Sequence, residues 1–344
     1  MITGIFKNYF LCFFTSLFFN SAISFAQIIS KINGVNFTAP PTIINADWTK
    51  PVVNIRAGWV AIIPFAFIKG NEPNVYFDYK WQWWGETSAG VSQTIQHAKA
   101  SGLKVMIKPQ IWVQHGEWIG SFDAGSEKNW LIWEKDYREY LLTYAKIAAK
   151  ENAEMLCIGT EIRIAVKKRP LYWRNLISEI KKIYQGKLTY SSNWDDYKEV
   201  SFWNDLDYVG ISAYFPLVDK DSPDLKELGK AWNPIVSEMS AYSANCKKQI
   251  LFTEYGYRSM NKPAWKSWEQ EYKEGVQVNT AAQVRAYQAL FAACWNQNWM
   301  AGGFLWKWYH DYSNVGGAQD TDWTPQNKPA EKVIQSWYQR TTGK

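Results

Sequence analysis

The sequence contains few residues that bind metals or form disulfides. Among 344 residues there are three histidines, which are His97, His115 and His310, and four cysteines. No two histidines stand at metal-ligand spacing. Cys12 falls in an N-terminal apolar run, and Cys157, Cys246 and Cys294 are too widely spaced for a disulfide framework or a zinc site. We therefore expect no metal and no cofactor, while a single bond between Cys246 and Cys294 stays open.

Nucleotide and nucleic-acid binding lack their usual sequence signals. No Gly-rich phosphate loop follows an early strand, although a doubly wound open sheet would be expected to carry one. The formal net charge is +6, but the basic residues are scattered rather than clustered. Because nucleic-acid binding needs a basic patch or stripe, we expect no nucleic-acid partner.

The N-terminus contains the features of a secretory signal peptide. Lys7 precedes an apolar stretch over residues 9–19, and the small residues Ser24 and Ala26 follow it. This pattern predicts cleavage after Ala26, so that residues 1–26 are a signal and 27–344 are the mature chain. We expect a secreted or periplasmic protein without stable membrane insertion after signal removal. An uncleaved anchor helix is the alternative, although the apolar stretch is short for a membrane span.

Aromatic residues are abundant, with 21 tryptophans and 20 tyrosines. Many of these rings must pack in the core. Rings also stack on the apolar faces of sugars, while their N–H and O–H groups can bond to hydroxyls. Sugar stacking is the better interpretation for the clusters at residues 81–85 and 306–310.

Strand-like and helix-like segments alternate along the chain without a long linker. The predicted strands are 34–37, 59–68, 104–113, 155–161, 188–193, 206–214, 250–254 and 300–308. The predicted helices are 47–53, 88–100, 130–150, 170–184, 225–244 with an interruption near 233–234, 280–295 and 331–340. This alternation predicts an α/β protein with a single (β/α)₈ TIM barrel over residues 27–344.

Two apolar runs each end in a Thr-Glu pair, at Glu161 and at Glu254. They end the fourth and seventh predicted strands, which face one another across an eight-stranded barrel. Active sites of such barrels lie at the C-terminal ends of the strands. A retaining glycosidase needs two carboxyl groups about 5 to 5.5 Å apart there. Because two close carboxylates resist ionising together, one of them keeps its proton. The alternative is that each glutamate is a surface charge.

Five segments resemble the retaining glycosidases of clan A, and most of all glycoside hydrolase family 113, a family of β-mannanases. They are 104–109, 157–161, 252–257, 282–287 and 303–308. The resemblance extends from about residue 32 to residue 340. It implies that Glu161 is the acid/base and Glu254 the nucleophile. It further implies that Tyr214 hydrogen-bonds the nucleophile and keeps it ionised, and that Trp306 forms the aromatic floor under the sugar.

The resemblance also implies further substrate-binding residues. Asn193 and Trp194 would line subsites, and Lys108 would bond sugar hydroxyls. Two positions depart from the clan pattern. Thr160 replaces the usual Asn before the acid/base, where the family contact is to the sugar 2-hydroxyl, and Gln110 replaces a frequent His. An altered partner for that hydroxyl is compatible with mannosides, in which it is axial.

These observations predict a secreted retaining β-1,4-mannanase acting on a polysaccharide or oligosaccharide. A hydrolase of the same clan that cleaves a glucan, xylan or galactan is one alternative, since specificity depends on loops and a few hydroxyl contacts. A non-catalytic glycan-binding barrel is the other.

Overall fold

The computed structural model describes residue 1 and residues 31–70, 72–270 and 276–341. The predicted signal peptide, its cleavage point and Gln27 lie outside this part of the chain, apart from Met1. Within it, no helix combines the length and the apolar character needed to cross a lipid bilayer.

Eight parallel strands close into a barrel, as the sequence predicted. Around the barrel they are β1 (Ile32–Phe37), β2 (Trp59–Ile62), β4 (Lys104–Ile107), β6 (Met155–Thr160), β7 (Lys187–Asn193), β8 (Val209–Ser212), β9 (Ile250–Tyr255) and β10 (Met300–Trp308), and β10 pairs with β1. β3 (Phe65–Ile68) and β5 (Gln110–Val113) form a separate two-stranded parallel sheet.

The small sheet continues two barrel strands beyond the rim. Trp59 pairs with Lys104 in the barrel, and Phe65 pairs with Gln110 in the small sheet, so the register is unchanged. Pro64 and Pro109 lie just before these outer segments, and proline cannot donate to a ladder. The predicted strands 59–68 and 104–113 are therefore each two strands, separated at a proline.

Helices surround the barrel. They are α1 (Thr49–Asn54), α2 (Ser88–Ala100), α3 (Glu127–Lys150), α4 (Arg163–Lys168), α5 (Pro170–Ile183), α6 (Leu225–Cys246), α7 (Thr280–Cys294) and α8 (Pro329–Thr341). Side-chain caps start several of them: Asn279 accepts from the Ala282 amide at the start of α7. The sequence did not predict α4. The predicted break in α6 was wrong, because buried Leu228, Trp232 and Met239 anchor the helix on both sides of Pro234.

The barrel interior changes from apolar to polar along its axis. Near the N-terminal ends it is filled by Ala61, Met106, Met155, Cys157, Leu251, Ala301 and Phe304. Further along, the hydroxyl of Ser191 bonds to Ser212 at 3.0 Å and to Thr253 at 2.6 Å. Cys157, Cys246 and Cys294 are all free thiols, so no disulfide joins the last two. The hydroxyls of Ser191, Ser212 and Thr253 form a polar layer immediately below the ends of β6 and β9.

We predict that Gly302→Ala destabilises the barrel where β10 meets β1. Gly302 has φ +121°, and a Cβ there would lie 2.2 Å from the Ile32 carbonyl oxygen. Both the backbone strain and the clash oppose the substitution, so we expect a loss of about 2 kcal/mol or more in the free energy of unfolding. Urea unfolding measures it. Gly58→Ala is the control, because a Cβ at Gly58 has no atom within 4 Å. Equal midpoints for the two variants would contradict the prediction.

Candidate active site

Each of the two strands that lead to a glutamate contains an extra residue. Cys157 and Thr160 of β6 pair with Thr189 and Ser191, so three steps on β6 match two on β7. On β9, Phe252 and Glu254 pair with the consecutive residues Ile211 and Ser212 of β8. Such bulges re-aim side chains and are common beside active sites. They allow both glutamates to project at the C-terminal mouth of the barrel.

Glu254 is 5% exposed and is surrounded by hydrogen-bond donors. Its Oε1 accepts from the ammonium group of Lys108 and from Gln110 Nε2 at 2.6 Å. Its Oε2 accepts from the Tyr214 hydroxyl at 2.7 Å. Ionised carboxylates are acceptors only, so three donors suit an anion and fix its orientation.

Glu161 follows β6 in the left-handed backbone region, with φ +56°. Its amide donates to the Ser191 carbonyl at 2.7 Å. Its Oε2 accepts from the indole N–H of Trp118 at 2.6 Å. A non-glycine residue persists in this conformation only where its surroundings hold it, and such residues concentrate at functional sites.

Trp118 is itself held by a cation. The guanidinium carbon of Arg163 lies 4.7 Å from the centre of a Trp118 ring. Arg163 Nε donates to Asp196 at 2.6 Å, and its Nη2 pairs with Asp195. The loop after β5 is thereby tied to Glu161 and to the start of α4.

The two carboxyl groups have different electrostatic environments. The pKa of Glu161 is raised to about 7, mainly by burial and secondly by the negative charge of Glu254, against the opposing effect of hydrogen bonds from Trp118 and Ser212. Glu161 is therefore largely protonated below neutral pH, while Glu254 is bonded by three donors. Retaining hydrolysis requires one proton donor and one anionic carboxylate close to each other.

The other predicted site residues lie around this pair in different roles. Burial and the Glu254 charge raise the pKa of Tyr214 well above its usual value, so it remains a proton donor to that carboxylate. Trp306 is partly exposed, with the Lys108 ammonium 5.3 Å from its ring centre. Lys108 is fully buried and bonded to Glu254, so its ammonium faces the carboxylate rather than an open subsite.

The remaining three predicted residues contact other groups. Thr160 is buried, and its hydroxyl donates to the Pro109 carbonyl at 3.2 Å. Asn193 is partly exposed and donates to Asp195 at 2.9 Å. Trp194 is partly buried, 5.9 Å from Phe215 and 6.3 Å from Trp268 between ring centres.

Sequence reasoning missed contacts to both glutamates. Gln110 was noted only as a departure from the clan pattern, yet it bonds Glu254. Trp118 and Ser212 contact Glu161, and no spacing rule links them to it. The available signal was the pair of tryptophans, Trp112 and Trp118, at the end of the predicted strand 104–113 and in the loop after it.

The chain matches the family model described as Glycoside Hydrolase Family 113 over residues 49–328. The chain belongs to glycoside hydrolase family 113. A solved GH113 β-1,4-mannanase shares 26% identity with this family 113 protein at a TM-score of 0.77, covering 90% of this chain and 99% of that one. No curated protein sequence matched.

Two other solved structures are similar to this family 113 chain in fold. The GH113 β-mannanase AaManA from Alicyclobacillus acidocaldarius, in complex with ManMIm, shares 23% identity at a TM-score of 0.77, covering 91% of this chain and 98% of that one. A β-glucuronidase from Faecalibacterium prausnitzii shares 15% identity at a TM-score of 0.61, and the match covers 90% of this chain and 49% of that one. In the described residues of this family 113 protein, no group of three or more His, Cys, Asp or Glu side chains is placed to hold a metal ion.

We predict that Trp118→Phe moves the alkaline limb of the pH–rate profile to higher pH. The Trp118 N–H lowers the pKa of Glu161, so its removal raises that pKa. A general acid is active while protonated, and hydrolysis is lost as the pH rises through its pKa. The measurement is kcat/KM against pH for a β-glycoside. Trp337→Phe on α8 is the control. An alkaline limb that stays at the same pH or moves to lower pH would contradict the prediction.

Proposed function

We propose that this protein is a retaining β-1,4-mannanase that works by double displacement. The observation that carries the proposal is the unequal pair at the mouth of a family 113 barrel. Glu161 has a pKa raised to about 7, while Glu254 accepts from Lys108, Gln110 and Tyr214. The environments divide the two roles of the reaction between the two carboxyl groups.

In the first step, Glu254 attacks the anomeric carbon and Glu161 protonates the departing glycosidic oxygen. A covalent glycosyl-enzyme ester forms at Glu254, and the leaving chain departs with a free hydroxyl. The Tyr214 hydroxyl and the Gln110 amide hold the attacking carboxylate in place. Orientation of this kind contributes to the rate by positioning the reacting atoms.

In the second step, the ionised Glu161 removes a proton from water, and the water attacks the anomeric carbon. The bond to Glu254 breaks, and the product keeps the β configuration. The same residue acts first as acid and then as base. A pKa near neutrality suits both tasks.

The substrate assignment is supported by the family and by the similar solved β-1,4-mannanase. The partly exposed indole of Trp306 supplies an aromatic surface beside Lys108 for a bound sugar. Neither a glucan, xylan or galactan nor a purely binding role is favoured by a specific contact.

We also propose that the protein is secreted or enters the periplasm after cleavage following Ala26. The support is the sequence pattern of Lys7, the apolar residues 9–19 and the small residues before the cut. N-terminal sequencing of protein recovered outside the inner membrane tests it, and a retained Met1 would contradict it.

We predict that Glu161→Ala and Glu254→Ala each abolish most mannan hydrolysis, but that azide separates them. Loss of general acid catalysis costs about 10² to 10⁴-fold in rate. Azide fits the space left by the Glu161 carboxylate and attacks the glycosyl-enzyme, so Glu161→Ala should recover partly and give a β-mannosyl azide. Glu254→Ala should not form that product. Product anomers are followed by NMR on manno-oligosaccharides and an activated aryl mannoside.

Glu238→Ala is the matched control, because Glu238 lies on α6 with a 52% exposed side chain. It should retain activity. Full activity of Glu254→Ala would remove that residue from the mechanism. An α-configured first product would exclude retention. Turnover of another β-glycan in preference to mannan would overturn the substrate assignment.

A further inference from the structure

The small sheet formed by β3 and β5 has one buried face and one open face. Ala66, Ile68, Ile111 and Val113 are buried, whereas Phe65, Phe67, Gln110 and Trp112 are partly or largely exposed. Side chains of a strand alternate between faces, so the second set shares one face. Three of its four members are aromatic.

This open face begins at the catalytic pair. Gln110 bonds Glu254 at 2.6 Å, and Trp112 lies two residues further along β5, about 7 Å outward on the same face. The chain then returns to the site at Trp118, which bonds Glu161. Trp112 is 51% exposed although it stands between two residues that contact the catalytic carboxyl groups.

Aromatic residues continue from Trp112 across and beyond the sheet. Trp112 pairs with Phe67 on β3, and Phe67 pairs in antiparallel fashion with Tyr76. Neighbouring strands lie about 4.8 Å apart, so this row spans about 10 Å. The Tyr76 and Tyr79 ring centres are 6.0 Å apart, and Tyr79 stacks on Trp81 at 5.6 Å.

We propose that these five residues, Trp112, Phe67, Tyr76, Tyr79 and Trp81, form an aromatic track that binds a β-1,4-linked hexose chain beyond the cleavage site. The proposal rests on the proposed function and extends it from the scissile bond to distal sugar units. Its first support is continuity with Glu254 through Gln110. Its second is the exposure of the outer end, where Trp81 is 74% exposed.

Charged groups over two of the rings, and a hydroxyl at the edge of one, fit a sugar better than an apolar partner. The ammonium group of Lys69 lies 4.6 Å from the Tyr76 ring centre, and that of Lys80 lies 5.8 Å from Trp81. The Tyr76 hydroxyl donates to Glu72 at 2.8 Å. A pyranose offers an apolar face for stacking and hydroxyls at its edge, and the track presents rings with donors and acceptors alongside.

The test is a chain-length series from mannobiose to mannohexaose, with an aryl β-mannoside and soluble mannan. We expect Trp112→Ala to lower kcat/KM on mannohexaose about tenfold, the equivalent of one stacked ring, and to leave the aryl mannoside unchanged. Trp112→Phe keeps a ring and should retain most activity. Trp81 lies further out than Trp112. The Trp81→Ala variant should therefore lose activity only on chains longer than those on which Trp112→Ala first loses activity.

Leu131→Ala is the control for removing an exposed apolar side chain, because Leu131 is 55% exposed on the outer helix α3. Thermal unfolding checks that all variants are folded. An equal loss on the aryl mannoside and on mannohexaose would overturn the track, because Trp112 would then act on the chemistry. No loss on any substrate would overturn it as well.

Binding separates failure of the track from failure of the proposed function. Affinity electrophoresis in soluble mannan, glucan and xylan uses the wild type and Trp112→Ala. A wild type that cleaves no mannan overturns the mannanase assignment, yet retardation by a β-glycan that Trp112→Ala loses still supports the track. If the wild type cleaves mannan but migrates through the glycan gels no more slowly than Trp112→Ala, the track is overturned and the mannanase assignment stands. If no glycan slows the wild type, the track is also overturned.

Discussion

The site depends on the unequal environments of two carboxyl groups that the barrel brings together at its mouth. Burial and the charge of Glu254 keep the proton on Glu161 near neutral pH, while Lys108, Gln110 and Tyr214 bond the other carboxylate. Much of the surrounding structure serves this asymmetry. The bulges in β6 and β9 point both side chains into the mouth, and the left-handed backbone at Glu161 completes the turn.

The polar layer beneath the pair explains how carboxylates are tolerated at the end of an apolar barrel. Ser191 hydrogen-bonds to both Ser212 and Thr253, and Asn36 donates to the Thr253 carbonyl at 3.1 Å. Buried polar groups are costly unless they are hydrogen-bonded. The barrel interior changes from apolar side chains through hydrogen-bonded hydroxyls to the charged groups at its mouth.

The sequence predicted the fold well because strand and helix periods alternate clearly and each glutamate ends an apolar run. The ends of α2 and β10 were predicted correctly for that reason. The sequence did not predict the breaks before β3 and β5 or the continuity of α6 through Pro234. Packing keeps α6 helical through Pro234, whereas Pro64 and Pro109 do interrupt their strands. The contacts of Trp118 and Gln110 depend on how loops fold back, and no periodicity encodes that. The contact between Lys108 and Glu254 was missed for a similar reason, because only the closed barrel brings the two side chains together.

Pro64 and Pro109 have an evolutionary consequence. Each ends a barrel strand just below the outer sheet, yet the register continues across the gap. The segment above Pro109 nevertheless includes Gln110 and Trp118, which bond Glu254 and Glu161. Substrate reach and bond-breaking chemistry therefore share one segment of the polypeptide. A change in that segment that alters which polymers are bound also alters the surroundings of the catalytic carboxyl groups.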